Sequence, residues 1–323
     1  MAIVWYQEKQ YPITAGESVL DTLLKNQFTC SYSCRSGVCQ TCLMKAEKGE
    51  PPERAQQGLK ETLKKQGYFL SCICYPDQDL HISSKNNSSI PAWIIGKEIL
   101  SQDVVKVILR CEDKIQYFAG QYITLTRQDK LSRSYSLASL PEEETLEIHV
   151  RKLPNGQMSS WLYDEAQVGE PLQIHGPIGD CFYTPGQSNQ PLLLAGTGTG
   201  LAPLYGILKD ALAQRHQGEV WLFHGALHSK GLYLVEELVS LAKRYANFHY
   251  SPTVLQGDPN ELIKVGNLEE IIFTQFPKLS TWRAYVCGHP ELVVSLKKKL
   301  FLKGVSLKNI FSDAFITYPK NST

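Results

Sequence analysis

Residues 34–42 read Cys34-Arg35-Ser36-Gly37-Val38-Cys39-Gln40-Thr41-Cys42, and Cys72 follows after 29 intervening residues. Four and then two residues separate the first three cysteines, the spacing by which one loop wraps a plant-type 2Fe-2S cluster and a distant fourth thiol completes it. Each iron takes two soft thiolates besides the bridging sulfides, so four are needed. Ser36 and Gly37 are small enough to let backbone amides turn toward the sulfurs. Four cysteines also suit tetrahedral zinc, but zinc sites usually present two C-x2-C pairs, and only Cys39 and Cys42 form one here. The spacing therefore favours iron and sulfide. Cys30 and Cys74 fall outside the pattern; each can substitute for a neighbour, and the plainer reading of both is a partly buried free thiol.

Six of the nine cysteines lie between Cys30 and Cys74, and Cys111, Cys181 and Cys287 are scattered singly beyond them. An odd count in a reducing compartment argues against a disulfide framework. The opening MAIVWYQEKQ has neither a basic n-region nor an apolar h-region, so a cytoplasmic location is expected. Uncharged residues run from Pro191 to Leu208, but four glycines and two prolines there suit a nucleotide-binding loop better than a membrane helix. With 33 basic and 32 acidic residues, no bulk charge recruits nucleic acid or an anionic membrane.

A chain of 323 residues suits two or three cores. Strands are expected at 3–6 and 11–14, a helix from Ser18 to Asn26, a polar helix-favouring segment after the cysteine loop, and an extended run from Tyr68 to Cys74. The stretch SSKNNSSIPAW at 83–93 reads as a linker. Short β-branched and aromatic runs at 104–109, 122–126, 134–139 and 146–150, with one helical interruption at 158–165, indicate an antiparallel barrel. From 191 the pattern alternates: strands at 191–195, 219–224, 249–255 and 283–287, helices at 201–214, 233–245 and 290–302. That is a doubly wound parallel sheet. The expected domains are 1–86, 92–187 and 188–323.

These residues resemble the ferredoxin:NADP reductase superfamily, in the form with a ferredoxin domain fused at the amino end. The layout is similar to the reductase components of benzoate dioxygenase, phenol hydroxylase and methane monooxygenase. The resemblance implies a multidomain α+β and α/β protein: a β-grasp 2Fe-2S ferredoxin domain, an antiparallel β-barrel for FAD and a doubly wound domain for NAD(P). It makes Cys34, Cys39, Cys42 and Cys72 the cluster ligands, Cys72 over Cys74 because the family's last ligand follows a Leu-Ser pair such as Leu70-Ser71. Arg133-Ser134-Tyr135-Ser136 matches the family's R-x-Y-S, which implies that Arg133 pairs with the FAD pyrophosphate, Tyr135 lies along the flavin and Ser136 reaches its N5. A guanidinium suits phosphate because its planar fork donates two parallel hydrogen bonds. His149-Val150-Arg151 and Gly156-Gln157-Met158-Ser159 resemble the second flavin contact, where a helix amino end receives phosphate.

Gly196, Gly198 and Gly200 lie where a strand turns into a helix, a place where missing side chains let a dinucleotide pyrophosphate approach. Gly198-Thr199-Gly200 with Ala202-Pro203 resembles the family's nicotinamide loop, and Cys287-Gly288-His289-Pro290 its C-G-x-P element, whose cysteine lies near the nicotinamide ring. Of Phe311, Phe315 and Tyr318, Phe315 is the expected cover of the flavin face. Tyr135, Ser136, Cys287 and Phe315 are thus the expected catalytic group. A nicotinamide gives two electrons as hydride and the cluster accepts one, so the flavin is expected to divide the pair. The expected partners are NAD(P)H and a protein electron acceptor, an oxygenase or hydroxylase, with a deoxysugar dehydratase or another metalloenzyme as the alternative. A zinc-binding or redox-sensing protein is the reading from another class. NADH is expected from family usage, while His228 and Lys230 keep NADPH open, since Ala226, His228, Ser229 and Lys230 supply neither an acid nor an arginine for the ribose. Residues 1–86 hold ten basic and nine acidic side chains, a neutrality that fits a domain tethered to its reductase.

Overall fold

The opening hairpin turns on Gln7 and Glu8, both at positive φ (50° and 63°), with β1 at Ile3–Tyr6 and β2 at Lys9–Pro12. The second strand therefore begins two residues earlier than the sequence suggested. The computed structural model describes residues 2–28, 35–37, 40, 42–83 and 89–315. The chain divides into two compact units, Met1–Asn87 and Ser88–Thr323.

In the first unit, α1 (Val19–Lys25) starts at Ser18, whose hydroxyl accepts from the Asp21 amide at 3.1 Å while the Asp21 carboxylate accepts from the Ser18 amide. Two orphan amides of the helix end are satisfied reciprocally, so the helix begins there. Then follow β3 (Leu43–Lys48), α2 (Glu61–Lys65), β4 (Tyr68–Leu70) and β5 (Leu80–Ser83). The strands form one sheet, β2-β1-β5-β3-β4, with β1 and β5 parallel and the other pairs antiparallel, a β-grasp arrangement. The polar, helix-favouring segment expected after the cysteine loop holds the helix α2, but its first part is the strand β3. Leu43, Met44 and Lys45 pair with Leu70, Phe69 and Tyr68, and pairing on both edges overrides a lysine-rich composition.

The second unit begins with β6 (Ile90–Ile99), β7 (Val104–Cys111), β8 (Tyr122–Thr126), β9 (Ser132–Ser136), β10 (Leu146–Arg151), α3 (Gln157–Ser160, running on as a single wider turn to Glu165) and β11 (Pro171–Ile178). These strands form an antiparallel sheet, β10-β7-β6-β11-β8-β9. A bridge between Leu137 and Ile148 joins its two edges and closes a barrel. Alternate residues such as Val105, Val107, Ile123, Leu125, Ile148 and Val150 fill the interior, with Met158 and Leu162 packed among them. The linker expected at 83–93 ends sooner, because Ile90 already pairs with Ile174 and Trp93 with Pro171.

The remaining elements are β12 (Leu192–Thr197), α4 (Leu201–Ala213), β13 (Val220–Ala226), α5 (Val235–Arg244), β14 (Phe248–Val254), β15 (Lys264–Val265), α6 (Leu268–Gln275), β16 (Arg283–Gly288), α7 (Pro290–Leu302) and β17 (Ile310–Ala314). All six strands are parallel, in the order β15-β14-β13-β12-β16-β17. Leu192 and Leu194 enter one core with α4 and α5, and Leu193 and Ala195 enter another with α6 and α7. A sheet buried on both faces explains the continuous apolar run PLLLA. The strand order reverses between β12 and β16, so their carboxyl ends flank the crevice where such sheets take ligands.

Candidate functional site

In the first unit, Cys42 and Cys72 are both buried and share a small cluster with Leu20, Leu59 and Leu70. The Ser71 amide donates to the Cys42 carbonyl at 3.1 Å and the Ser71 hydroxyl to the same oxygen at 2.9 Å, which pins the two cysteine segments together. Cys34, Cys39 and Cys30 lie outside the described residues. Cys74 faces a different core, with Val4, Phe69 and Leu80. Burial, with Asp77 nearby, pushes its thiol up to about 12. Cys74 thus points into the sheet core, whereas Cys42, just before β3, and Cys72, in the turn after β4, lie together as two soft donors that fit a 2Fe-2S cluster.

In the barrel, Arg133 is exposed on β9; its guanidinium donates to the Ser132 carbonyl at 2.7 Å and has no ion pair among the described residues. Such a fork fits a phosphate. Tyr135 lies half-buried against the barrel core. Ser136 is buried and its hydroxyl donates to Asp313 Oδ2 at 2.7 Å. Burial raises the Asp313 carboxyl above its ordinary range against the pull of that hydrogen bond. The sequence reading passed over Asp313, which stood among aromatics with no motif of its own. Only the pairing of β17 beside β16 brings it opposite Cys287.

The second flavin segment is divided by the fold. His149 is buried against Glu147 and Tyr233, Val150 lies inside the barrel, and Arg151 Nε donates to Asp103 at 2.9 Å. The side chains of His149 and Val150 are thus both taken up by contacts within the protein. Gly156 precedes α3, Met158 packs in the barrel core, and the Ser159 hydroxyl accepts from the Leu153 amide at 3.2 Å, closing the turn that holds the helix end.

At the crevice, β12 runs through Thr197 into a single tight turn, Gly198–Gly200, and then α4, whose amino end has no side-chain cap. A Cβ on Gly196 would lie 2.7 Å from the Cys287 carbonyl oxygen, and one on Gly200 would overlap the same atom. Gly288 has φ +118°, a conformation L side chains rarely adopt. Two bare backbones thus approach closely beside an uncapped 13-residue helix, which fits a dinucleotide pyrophosphate. Pro203 is buried in the first turn of α4, and Thr199 lies within the tight turn. Cys287 is fully buried, its sulfur 3.8 Å from that of Cys181, and burial keeps its thiol protonated. Phe315 donates its amide to the Gly288 carbonyl at 2.9 Å, beside the same turn. Phe311 stacks on Tyr285 in the core, and Tyr318 lies outside the described residues.

A β-grasp unit with buried cysteines, a closed barrel bearing an exposed arginine, and a doubly wound sheet with a bare glycine turn together define an iron-sulfur flavoprotein oxidoreductase. The chain matches the 2Fe-2S iron-sulfur cluster binding domain over residues 5–77, the oxidoreductase FAD-binding domain over 91–183 and the oxidoreductase NAD-binding domain over 194–298. It is 29% identical to the ferredoxin–NAD(P)(+) reductase component of the naphthalene 1,2-dioxygenase system of Pseudomonas putida, covering 95% of each chain. It is 27% identical to the CDP-6-deoxy-L-threo-D-glycero-4-hexulose-3-dehydrase reductase of Yersinia pestis, covering 93% of each. A crystal structure of an Amycolatopsis cytochrome P450 reductase superposes with a TM-score of 0.68 at 26% identity, covering 98% of this chain and 99% of that one. The chain belongs to the ferredoxin-fused branch of the ferredoxin:NADP reductase superfamily.

Proposed function

We propose that this reductase draws electrons from NADH and delivers them to an oxygenase or hydroxylase through domains at 1–86, 92–187 and 188–323. Bound FAD would supply the exchange between a two-electron nicotinamide donor and the one-electron 2Fe-2S cluster that the cysteines would hold. Arg133 grips the flavin pyrophosphate. Tyr135 and Phe315 bound the flavin, and Ser136 presents its hydroxyl, oriented by Asp313. The uncapped start of α4, with Gly198, Thr199, Gly200 and Pro203, holds the nicotinamide cofactor's pyrophosphate. Cys287 and Gly288 shape the crevice wall, and the segments 149–151 and 156–159 support the flavin through their backbones. Cys34, Cys39, Cys42 and Cys72 hold the cluster. The observation that carries this reading is the convergence of Ser136, Asp313 and Cys287 at the carboxyl ends of β16 and β17, beside the bare glycine turn.

A cytoplasmic setting is supported by the free thiols outside the proposed cluster set, at Cys74, Cys111, Cys181 and Cys287. No helix among the described residues is long and apolar enough to cross a membrane. The alternative acceptor, a deoxysugar dehydratase, is favoured by the Yersinia relative. The test is anaerobic purification, metal and sulfide analysis, and titration with NADH or NADPH while following visible absorption. Bleaching of flavin and cluster bands by NADH supports the reading, and a colourless zinc protein overturns it. Cytochrome c reduction and reconstitution with an oxygenase or a dehydratase then separate the acceptors.

A further inference from the structure

A buried polar chain ties the barrel to the nicotinamide lobe through the side chain of His149, of which the flavin reading uses only the backbone. Glu147 accepts from His149 Nε2 at 2.8 Å, and His149 Nδ1 faces the Tyr233 hydroxyl at 3.1 Å. His149 belongs to β10, Tyr233 to the segment between β13 and α5, and they are 4% and 2% exposed. With Glu147 ionised, Nε2 carries the imidazole proton, so Nδ1 is left to accept and Tyr233 donates. Burial holds His149 neutral against the pull of Glu147, while Lys106 and Lys209 from the surrounding elements oppose its charge. The Tyr233 ring also stands edge-on to His149 at 5.3 Å and to His224 at 5.5 Å.

The next residue, Leu234, is left-handed at φ 55°, ψ 24°, and starts α5 without a side-chain cap. That conformation is disfavoured for a residue with a Cβ and persists only where its surroundings over-determine it. Upstream of Tyr233, the chain leads back to the carboxyl end of β13. There the Leu255 amide donates to the Ala226 carbonyl at 3.0 Å and the Gln256 amide to the Leu227 carbonyl at 2.9 Å, tying the ends of β13 and β14 together. These ends border the dinucleotide crevice of a doubly wound sheet. On the other side, His149 immediately precedes the flavin-supporting Val150-Arg151.

Resting on the NAD(P)H reading above, we propose that Tyr233, held by His149, is a positioning residue for the nicotinamide cofactor, setting the crevice against the flavin strand. It acts on cofactor binding and leaves the hydride step itself alone. Tyr233→Phe keeps the ring packing and removes one donor; with NADH and ferricyanide, KM rises about tenfold, the effect of one buried hydrogen bond left unmade, while kcat holds within about twofold. Bound FAD and iron stay at the level of the unsubstituted protein. His149→Gln raises KM likewise, and the double variant is no worse than the worse single, as expected of two groups acting through one contact. An unchanged KM in Tyr233→Phe, or a double variant showing the product of the two effects, overturns the proposal. His149→Gln carries the same test should Tyr233→Phe lose its fold. Failure of the unsubstituted protein to oxidise either nicotinamide cofactor refutes instead the reading on which the proposal rests.

Discussion

Ser136 donates its hydroxyl to Asp313 Oδ2 at 2.7 Å, joining β9 of the barrel to β17 of the nicotinamide lobe across 177 positions of sequence. The serine is buried, so the bond fixes where its oxygen points. Ser136→Ala should slow anaerobic flavin reduction by NADH about tenfold, and Asp313→Asn, which keeps an acceptor oxygen, should slow it less. Stopped-flow absorption at the flavin band reads both. An unaltered limiting rate in Ser136→Ala would remove the serine from the reacting group.

Arg133 has an exposed guanidinium that donates to the neighbouring Ser132 carbonyl and forms no ion pair among the described residues, so it can turn to a phosphate. Arg133→Ala should weaken FAD binding by about 1.5–3 kcal/mol, roughly ten- to a hundredfold in Kd, the range for a charge-assisted hydrogen bond. Arg133→Lys should recover only part of that, because an ammonium cannot present the paired fork. Titration of apoprotein with FAD, followed by fluorescence quenching, makes the measurement.

Cys72 and Cys74 are separated by one residue yet face different cores. Cys72→Ser should leave little iron and abolish cytochrome c reduction while NADH-to-ferricyanide activity remains. Cys74→Ala should keep its iron and lose about 1–2 kcal/mol of stability to the lost packing. Iron and acid-labile sulfide assays on the two variants decide the assignment.

His224 is buried, with Nδ1 facing the Tyr250 hydroxyl at 3.2 Å and Nε2 without a partner among the described residues. Burial, reinforced by His149, lowers its pKa to about 3. Above the unfolded value of about 6.5 both states are neutral and the residue adds no pH dependence. As pH falls below that, the unfolded chain takes up the proton first, so stability drops progressively until the folded value is reached. At pH 5 the loss from this residue alone should be about 2 kcal/mol. His224→Leu should flatten the fall of the melting temperature between pH 7 and pH 5, and an unchanged slope would show that the histidine is not buried neutral.

Periodicity made the parallel sheet legible, because strands buried on both faces and helices with one apolar stripe leave opposite patterns, as PLLLA at 191–195 and Leu201–Ala213 do. The cysteine spacing marked the ferredoxin unit for a similar reason: coordination geometry is local. What stayed hidden was set by distant pairing. β3 went unseen inside a polar, helix-favouring stretch because its strand character comes from β4 and β5 on either side, while α2 later in that stretch is helical. Ile90–Trp93 looked like linker until β11 supplied their partners. Asp313 and Tyr233 carried no motif, and each gained its place only when another lobe of the same unit presented a hydroxyl or an imidazole to it.

One carbonyl oxygen, that of Cys287, stands against the bare α-carbons of both Gly196 and Gly200. The width of the nucleotide mouth is therefore ruled by main chain on both sides and not by any side chain that can swing. Evolution has little freedom to retune this junction by ordinary replacement, since every alternative to glycine pushes a whole strand. Drift in cofactor preference must instead enter through the outer loops after β13 and β14, where Leu227, Leu255 and their neighbours lie open to change.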